Sequence, residues 1–107
     1  MVTELGAKSL LSDDRFTETY VHHRIERGYG PYRIRQELAQ RGVAAEAVDE
    51  ALDHAGVDWQ EQVQLVRAKK FGAEIPRDRR EQARQSRFLQ QRGFSADQIR
   101  RVFRSRD

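Results

Sequence analysis

Arg27-Gly28-Tyr29-Gly30-Pro31-Tyr32-Arg33-Ile34-Arg35-Gln36-Glu37-Leu38-Ala39-Gln40-Arg41-Gly42-Val43 is the stretch that decides the fold. Gly28 is a helix stop, because glycine takes the left-handed conformation without a Cβ clash. Gly30 is a candidate N-cap and Pro31 a first helical residue, where the missing N–H has no partner to lose. Ile34 and Leu38 lie one turn apart on one face, and Gly42 stops the helix after Arg41. The stretch therefore reads as one short amphipathic helix between two glycine breaks.

The same punctuation extends in both directions. Upstream, Asp13 and Asp14 are candidate N-caps for a helix through about Arg27, with Phe16, Tyr20, Val21 and Ile25 as its apolar positions. Downstream, Val43 and Val48 have the spacing of a hydrophobic staple around the start of a helix over about Ala45 to Ala55, which Ala51 and Leu52 continue and Gly56 ends. Asp58 and Glu61 have capping-box spacing and open a fourth helix carrying Trp59, Val63, Val66 and Phe71, closed by Gly72. Residues 73–77 form the one clear linker. Asp78 and Glu81 repeat the cap spacing at the start of a long polar helix that ends at Arg92-Gly93. Phe94, Ser95, Gln98 and Ile99 then supply a capping box and a staple together, and Val102 and Phe103 continue the last helix. No segment alternates with period two, so the fold class is all-α.

The helices repeat. A shift of 51 residues places Leu38 on Leu89, Gln40 on Gln91, Arg41 on Arg92, Gly42 on Gly93, Val43 on Phe94, Val48 on Ile99 and Leu52 on Phe103. The first helix of each unit aligns at the shorter shift of 43, Phe16 on Trp59 and Tyr20 on Val63, and the linker absorbs the difference. Any two amphipathic helices joined by glycine share some of this pattern. The Leu-x-x-Arg-Gly-apolar string, the staple and the helix order together favour a true repeat. The expected organisation is a three-helix unit over 12–56, a second over 57–107, and residues 1–11 as the tail of a preceding element. Such tandem helix-turn-helix-like units stack into an elongated or curved array.

Composition narrows the chemistry. The absence of cysteine removes disulfides and thiolate metal sites and fits a cytoplasmic setting. No apolar run approaches the roughly 20 residues of a membrane helix, and residues 1–6 lack signal-peptide features. No serine lies in a nucleophile-elbow pattern and no glycine-rich phosphate loop follows a strand. His22 and His23 are adjacent, so they point about 100° apart on a helix, and His54 stands alone. Most carboxylates sit at helix starts, where capping accounts for them. The expectation is a non-enzyme without cofactor or metal.

Charge is the remaining signal. Residues 1–57 hold seven Lys/Arg against ten Asp/Glu, and residues 58–107 thirteen against seven, so the halves carry −3 and +6. Arg77, Arg79, Arg80, Arg84 and Arg87 cluster at the linker and fifth helix, and Arg100, Arg101, Arg104 and Arg106 load the last. Arg80, Arg84 and Arg87 share one face by their i, i+4, i+7 spacing. Arginine forks match phosphates and carboxylates, although each alone is equally explained as part of a solvated helix face. On charge and expected exposure, the candidate partner- or phosphate-binding residues are Arg24, Tyr29, Arg33, Arg77, Arg80, Arg84, Arg87, Arg101 and Arg104.

The string from Arg27 to Leu38 followed by Arg41-Gly42-Val43 resembles the RecX family of bacterial proteins. So do Leu11-Ser12-Asp13-Asp14-Arg15-Phe16, Asp58-Trp59, Phe71-Gly72 and Arg87-Phe88-Leu89 with Arg92-Gly93-Phe94. The resemblance covers about Leu5 to Phe103. It implies tandem three-helix repeats, usually three, of which this chain holds the second and third and the last helix of the first. It further implies a regulator that lies in the groove of the RecA filament; a monomer is the separate expectation for this chain. Such a regulator inhibits ATPase and strand exchange and so modulates homologous recombination, DNA repair and the SOS response. Weak binding to single- or double-stranded DNA through the basic half is the competing expectation. The acidic third helix, with Glu46, Asp49, Glu50 and Asp53, argues against base-specific reading there.

Overall fold

The computed structural model describes the backbone of residues 5–104 and the side chains of residues 15–104. Six helices follow in order: α1 Leu5–Glu26, α2 Pro31–Gln40, α3 Ala45–Ala55, α4 Trp59–Phe71, α5 Arg79–Arg92 and α6 Ala96–Arg104. Among the described residues there is no strand. Helices α1, α2 and α3 pack on one another, as do α4, α5 and α6.

Local chemistry explains most helix ends. Gly30 is the extended N-cap of α2 with Pro31 in its first turn. The Asp58 carboxylate accepts from the main-chain N–H groups of Gln60 and Glu61. The Asp78 carboxylate accepts from that of Glu81. The reciprocal half of that second box is not formed, because the Glu81 carboxylate turns to Arg84 and Gln85. Only the box at α6 closes both ways. The Gln98 N–H donates to Ser95 Oγ at 3.0 Å and the Ser95 N–H to Gln98 Oε1 at 2.8 Å.

Two expectations need correction. Asp13 and Asp14 do not cap a helix; they lie inside α1, which begins at Leu5. The run from Leu5 to Asp14 contains no proline and only Gly6 as a breaker, so nothing stops the helix from continuing upstream. Phe16, read as one of the apolar positions of that helix, is not buried with them but 40% exposed, its ring tilted against Tyr20 and beneath the Arg41 guanidinium.

Each unit has its own core. Val21, Ile34, Leu38, Val48, Ala51 and Leu52 form the first. Val63, Leu89, Phe94, Ile99 and Val102 form the second. Trp59 packs against both and meets Phe94 edge-on at 6.4 Å. Both staples thus deliver their expected partners to the cores. The radius of gyration is 16.5 Å and the extents are 57 × 22 × 19 Å. A compact chain of this length has a radius of about 13 Å, so the units are strung into a rod.

Candidate functional site

The two units meet where the α1–α2 turn abuts the end of α5. The Gly30 N–H donates to the Arg92 carbonyl at 2.7 Å, and the Tyr32 N–H to the Gly93 carbonyl at 3.0 Å. The unpaired N–H groups that begin α2 thus meet the carbonyls that end α5, two complementary helix ends satisfied by one contact. Arg33 Nη1 donates to the Gln91 carbonyl, and Arg92 Nη1 returns a bond to the Arg27 carbonyl. Gln62 adds a bond to the Ile25 carbonyl. The fold-deciding stretch is therefore also the joint of the rod.

A charged hub braces this joint. Glu37 accepts from Arg24 Nη2 at 2.7 Å, from Arg33 Nε at 2.9 Å and from the Tyr20 hydroxyl at 2.7 Å. Arg24, then Arg33 and Tyr20, hold its carboxyl at about 2, against partial burial that pulls the other way. Burial and the Glu37 carboxylate push the Tyr20 phenol up, and Glu37 holds the Arg24 guanidinium above its usual range. The Tyr29 ring lies under three guanidinium groups, Arg24 at 4.2 Å, Arg92 at 4.5 Å and Arg33 at 4.9 Å from its centroid.

The hub has a measurable pH signature. The folded value for Glu37 lies below that of the unfolded chain, so its contribution is complete above about 4.5 and disappears as pH falls toward 2. With partial exposure taken into account, Glu37→Ala should cost about 2–3 kcal/mol at pH 7. The difference from the unmodified chain should vanish near pH 2. Urea unfolding at pH 7, 4 and 2.5 checks this; a pH-independent difference would remove the hub from the account.

The second unit contains a buried cation. Arg67 is 2% exposed and holds the start of the 73–77 linker. Its Nη2 donates to the carbonyls of Gly72 at 2.7 Å and Ala73 at 3.2 Å, and its Nη1 to Gln85 Oε1 at 3.1 Å and the Glu74 carbonyl at 3.4 Å. Burial lowers its pKa, and its partners are neutral oxygens rather than a carboxylate. Gln85 in turn donates to Glu81, whose carboxyl is held at about 2 by Arg84 and then Gln85.

Between α5 and α6 lies an open cleft of about 600 Å³. Arg79, Arg87, Arg100 and Arg104 rim it, and Ala83, Ile99 and Phe103 contribute apolar lining. Among the described residues Arg79, Arg87 and Arg104 have no hydrogen-bond or ion-pair partner, while Arg100 pairs with Asp97. Pocketed, unpaired guanidinium groups over an apolar floor suit a phosphate or carboxylate partner.

The nine candidate residues thus fall into three groups. Arg24, Tyr29 and Arg33 are engaged internally at the joint. Arg87 and Arg104 face the α5–α6 cleft, and Arg77 lines a neighbouring hollow with Phe103. Arg80 and Arg101 are exposed, while Arg84 is paired with Glu81 and stacked over Phe71. Charge and helical spacing alone missed Arg79 and Arg100 as cleft members, because α6 closes the cleft by tertiary packing. They also missed Arg67, whose one signal is its place one turn from Val63 on the buried stripe. No group of three or more His, Cys, Asp or Glu side chains among the described residues could hold a metal ion, and no described helix is long and apolar enough to cross a membrane.

Comparison with known proteins agrees with this two-unit division. Residues 12–52 match the model of the RecX second three-helix domain, and residues 57–103 that of the RecX third three-helix domain. The chain is 55% identical to the "Regulatory protein RecX" of Halorhodospira halophila over 96 residues, 90% of this chain and 60% of the relative. It is 47% identical to the protein of the same name from Pseudomonas fluorescens over 102 residues, 95% of this chain and 66% of the relative. It spans less than two thirds of the length of either. With both of its three-helix units matched in order, the chain belongs to the RecX family of regulatory proteins.

Proposed function

We propose that this chain binds the RecA recombinase filament and restrains its ATPase and strand exchange, acting as a protein-binding rod rather than an enzyme. The match of both units to RecX domains carries the reading. The 57 Å rod supports it, because an elongated repeat array can touch successive subunits of a helical filament. In this reading the protein is a cytoplasmic monomer. Residues 12–56 and 57–107 are its two units, and residues 1–11 are the tail of a preceding one.

A second reading, sequence-independent DNA binding, draws on one observation, the unpaired arginines of the α5–α6 cleft. Such residues grip phosphates without reading bases. Cosedimentation with RecA filaments on single-stranded DNA, beside binding to DNA alone across salt, separates the two. The combined variant Arg79→Glu, Arg87→Glu, Arg104→Glu should weaken filament binding at least tenfold, each reversal replacing attraction by repulsion. Binding to DNA alone with a steep salt slope, and none to the filament, would favour the second reading. Unchanged filament binding would remove the cleft from the mechanism.

A further inference from the structure

A second groove crosses the joint. It runs between α2 and the end of α5, encloses about 480 Å³, and has an edge formed by Tyr32, which is 55% exposed. Gln36 and Gln40 line it from the first unit, and Gln90 and Gln91 from the second. Among the described residues none of these four amides makes a side-chain hydrogen bond. The charges in the lining, Arg33 and Glu37, are paired with each other at 2.9 Å. The groove therefore presents uncharged donors and acceptors with no free cation.

That chemistry selects among occupants. A nucleic-acid strand needs cations for its phosphates, and here the one guanidinium is already engaged. An amphipathic helix needs an apolar trough, which four amides do not provide. An extended polypeptide fits: each peptide unit carries one donor and one acceptor, and each glutamine side chain offers both. From Tyr32 to Gln40, α2 rises about 12 Å, the length of about four extended residues. We infer that this amide groove grips an extended, uncharged segment of the partner protein through its main chain, with Tyr32 packing beside it. The inference rests on the proposed filament reading and assigns a second site of contact within it, apart from the α5–α6 cleft. Because the groove takes residues from both units, it exists only while the joint is closed.

The test is cosedimentation with RecA filaments assembled on single-stranded DNA, using the unmodified chain, Gln36→Ala/Gln90→Ala, and Gln64→Ala, an exposed glutamine on α4 away from the groove. Loss of two amides should weaken binding roughly tenfold, with an unchanged melting temperature, while Gln64→Ala binds normally. A photoreactive benzoylphenylalanine in place of Tyr32 should crosslink to the recombinase subunit. Equal binding by the double variant, or crosslinking to DNA, overturns the groove assignment alone. If the unmodified chain fails to sediment with filaments, the filament reading fails and the inference with it.

Discussion

Gly93→Ala should destabilise the chain by about 3–4 kcal/mol and open the joint, whereas Gly42→Ala should cost only about 1 kcal/mol. The two glycines are repeat equivalents and both adopt positive φ, +105° and +86°. Any side chain at either position therefore meets the same left-handed strain. Their surroundings differ. A Cβ on Gly42 would meet nothing within 4 Å, but one on Gly93 would lie 2.3 Å from Arg33 Cβ and 2.6 Å from its main-chain nitrogen. Backbone cannot move aside as a flexible side chain can. The start of α2 must retreat, breaking the bonds from Gly30 to Arg92, Tyr32 to Gly93 and Arg33 to Gln91. Hydrogen exchange at the Gly30 and Tyr32 amides should accelerate in Gly93→Ala and remain slow in Gly42→Ala. Equal effects of the two substitutions would mean that left-handed strain alone, not the joint, explains both.

Arg67→Ala is expected to cost about 4 kcal/mol, and Arg67→Met about half that. Truncation to Ala empties the volume of a long buried stem and leaves the Gly72 carbonyl, the linker carbonyls of Ala73 and Glu74 and the Gln85 amide oxygen without their donor. Met refills much of the volume but restores none of those bonds. The linker continues into Pro76, Arg77 and Asp78, the N-cap of α5, so its loosening should be visible to trypsin at Arg77 or Arg79. Faster cleavage there in both variants, with the larger stability loss in Ala, is the expected pattern. Unchanged cleavage would show that the guanidinium does not hold the linker.

These two residues also mark where sequence reading succeeds and where it stops. Gly93 was legible as a helix stop because an L-residue rarely adopts its conformation, and that is a local property. Its contact with Arg33 lies 60 residues away in sequence and depends on how two units stack. The Ser95–Gln98 box and both staples were legible for the same local reason. Arg67 was not, since a cation on an amphipathic helix ordinarily reaches solvent; only the arrival of the linker carbonyls makes a buried one tolerable. The i, i+4 pairing of Arg33 with Glu37 was available from spacing, but Arg24 and Tyr20 join it from α1 through packing. The basic half was plain from composition, while the cleft that gathers part of it required α6 to fold back against α5.

The filament reading is tested most directly by titrating this chain into RecA hydrolysing ATP on single-stranded DNA. A dose-dependent fall in ATPase is expected, and Gly93→Ala should weaken it, because an opened joint disorganises the rod. ATPase unchanged at saturating chain, in conditions where the chain remains folded, would contradict that reading.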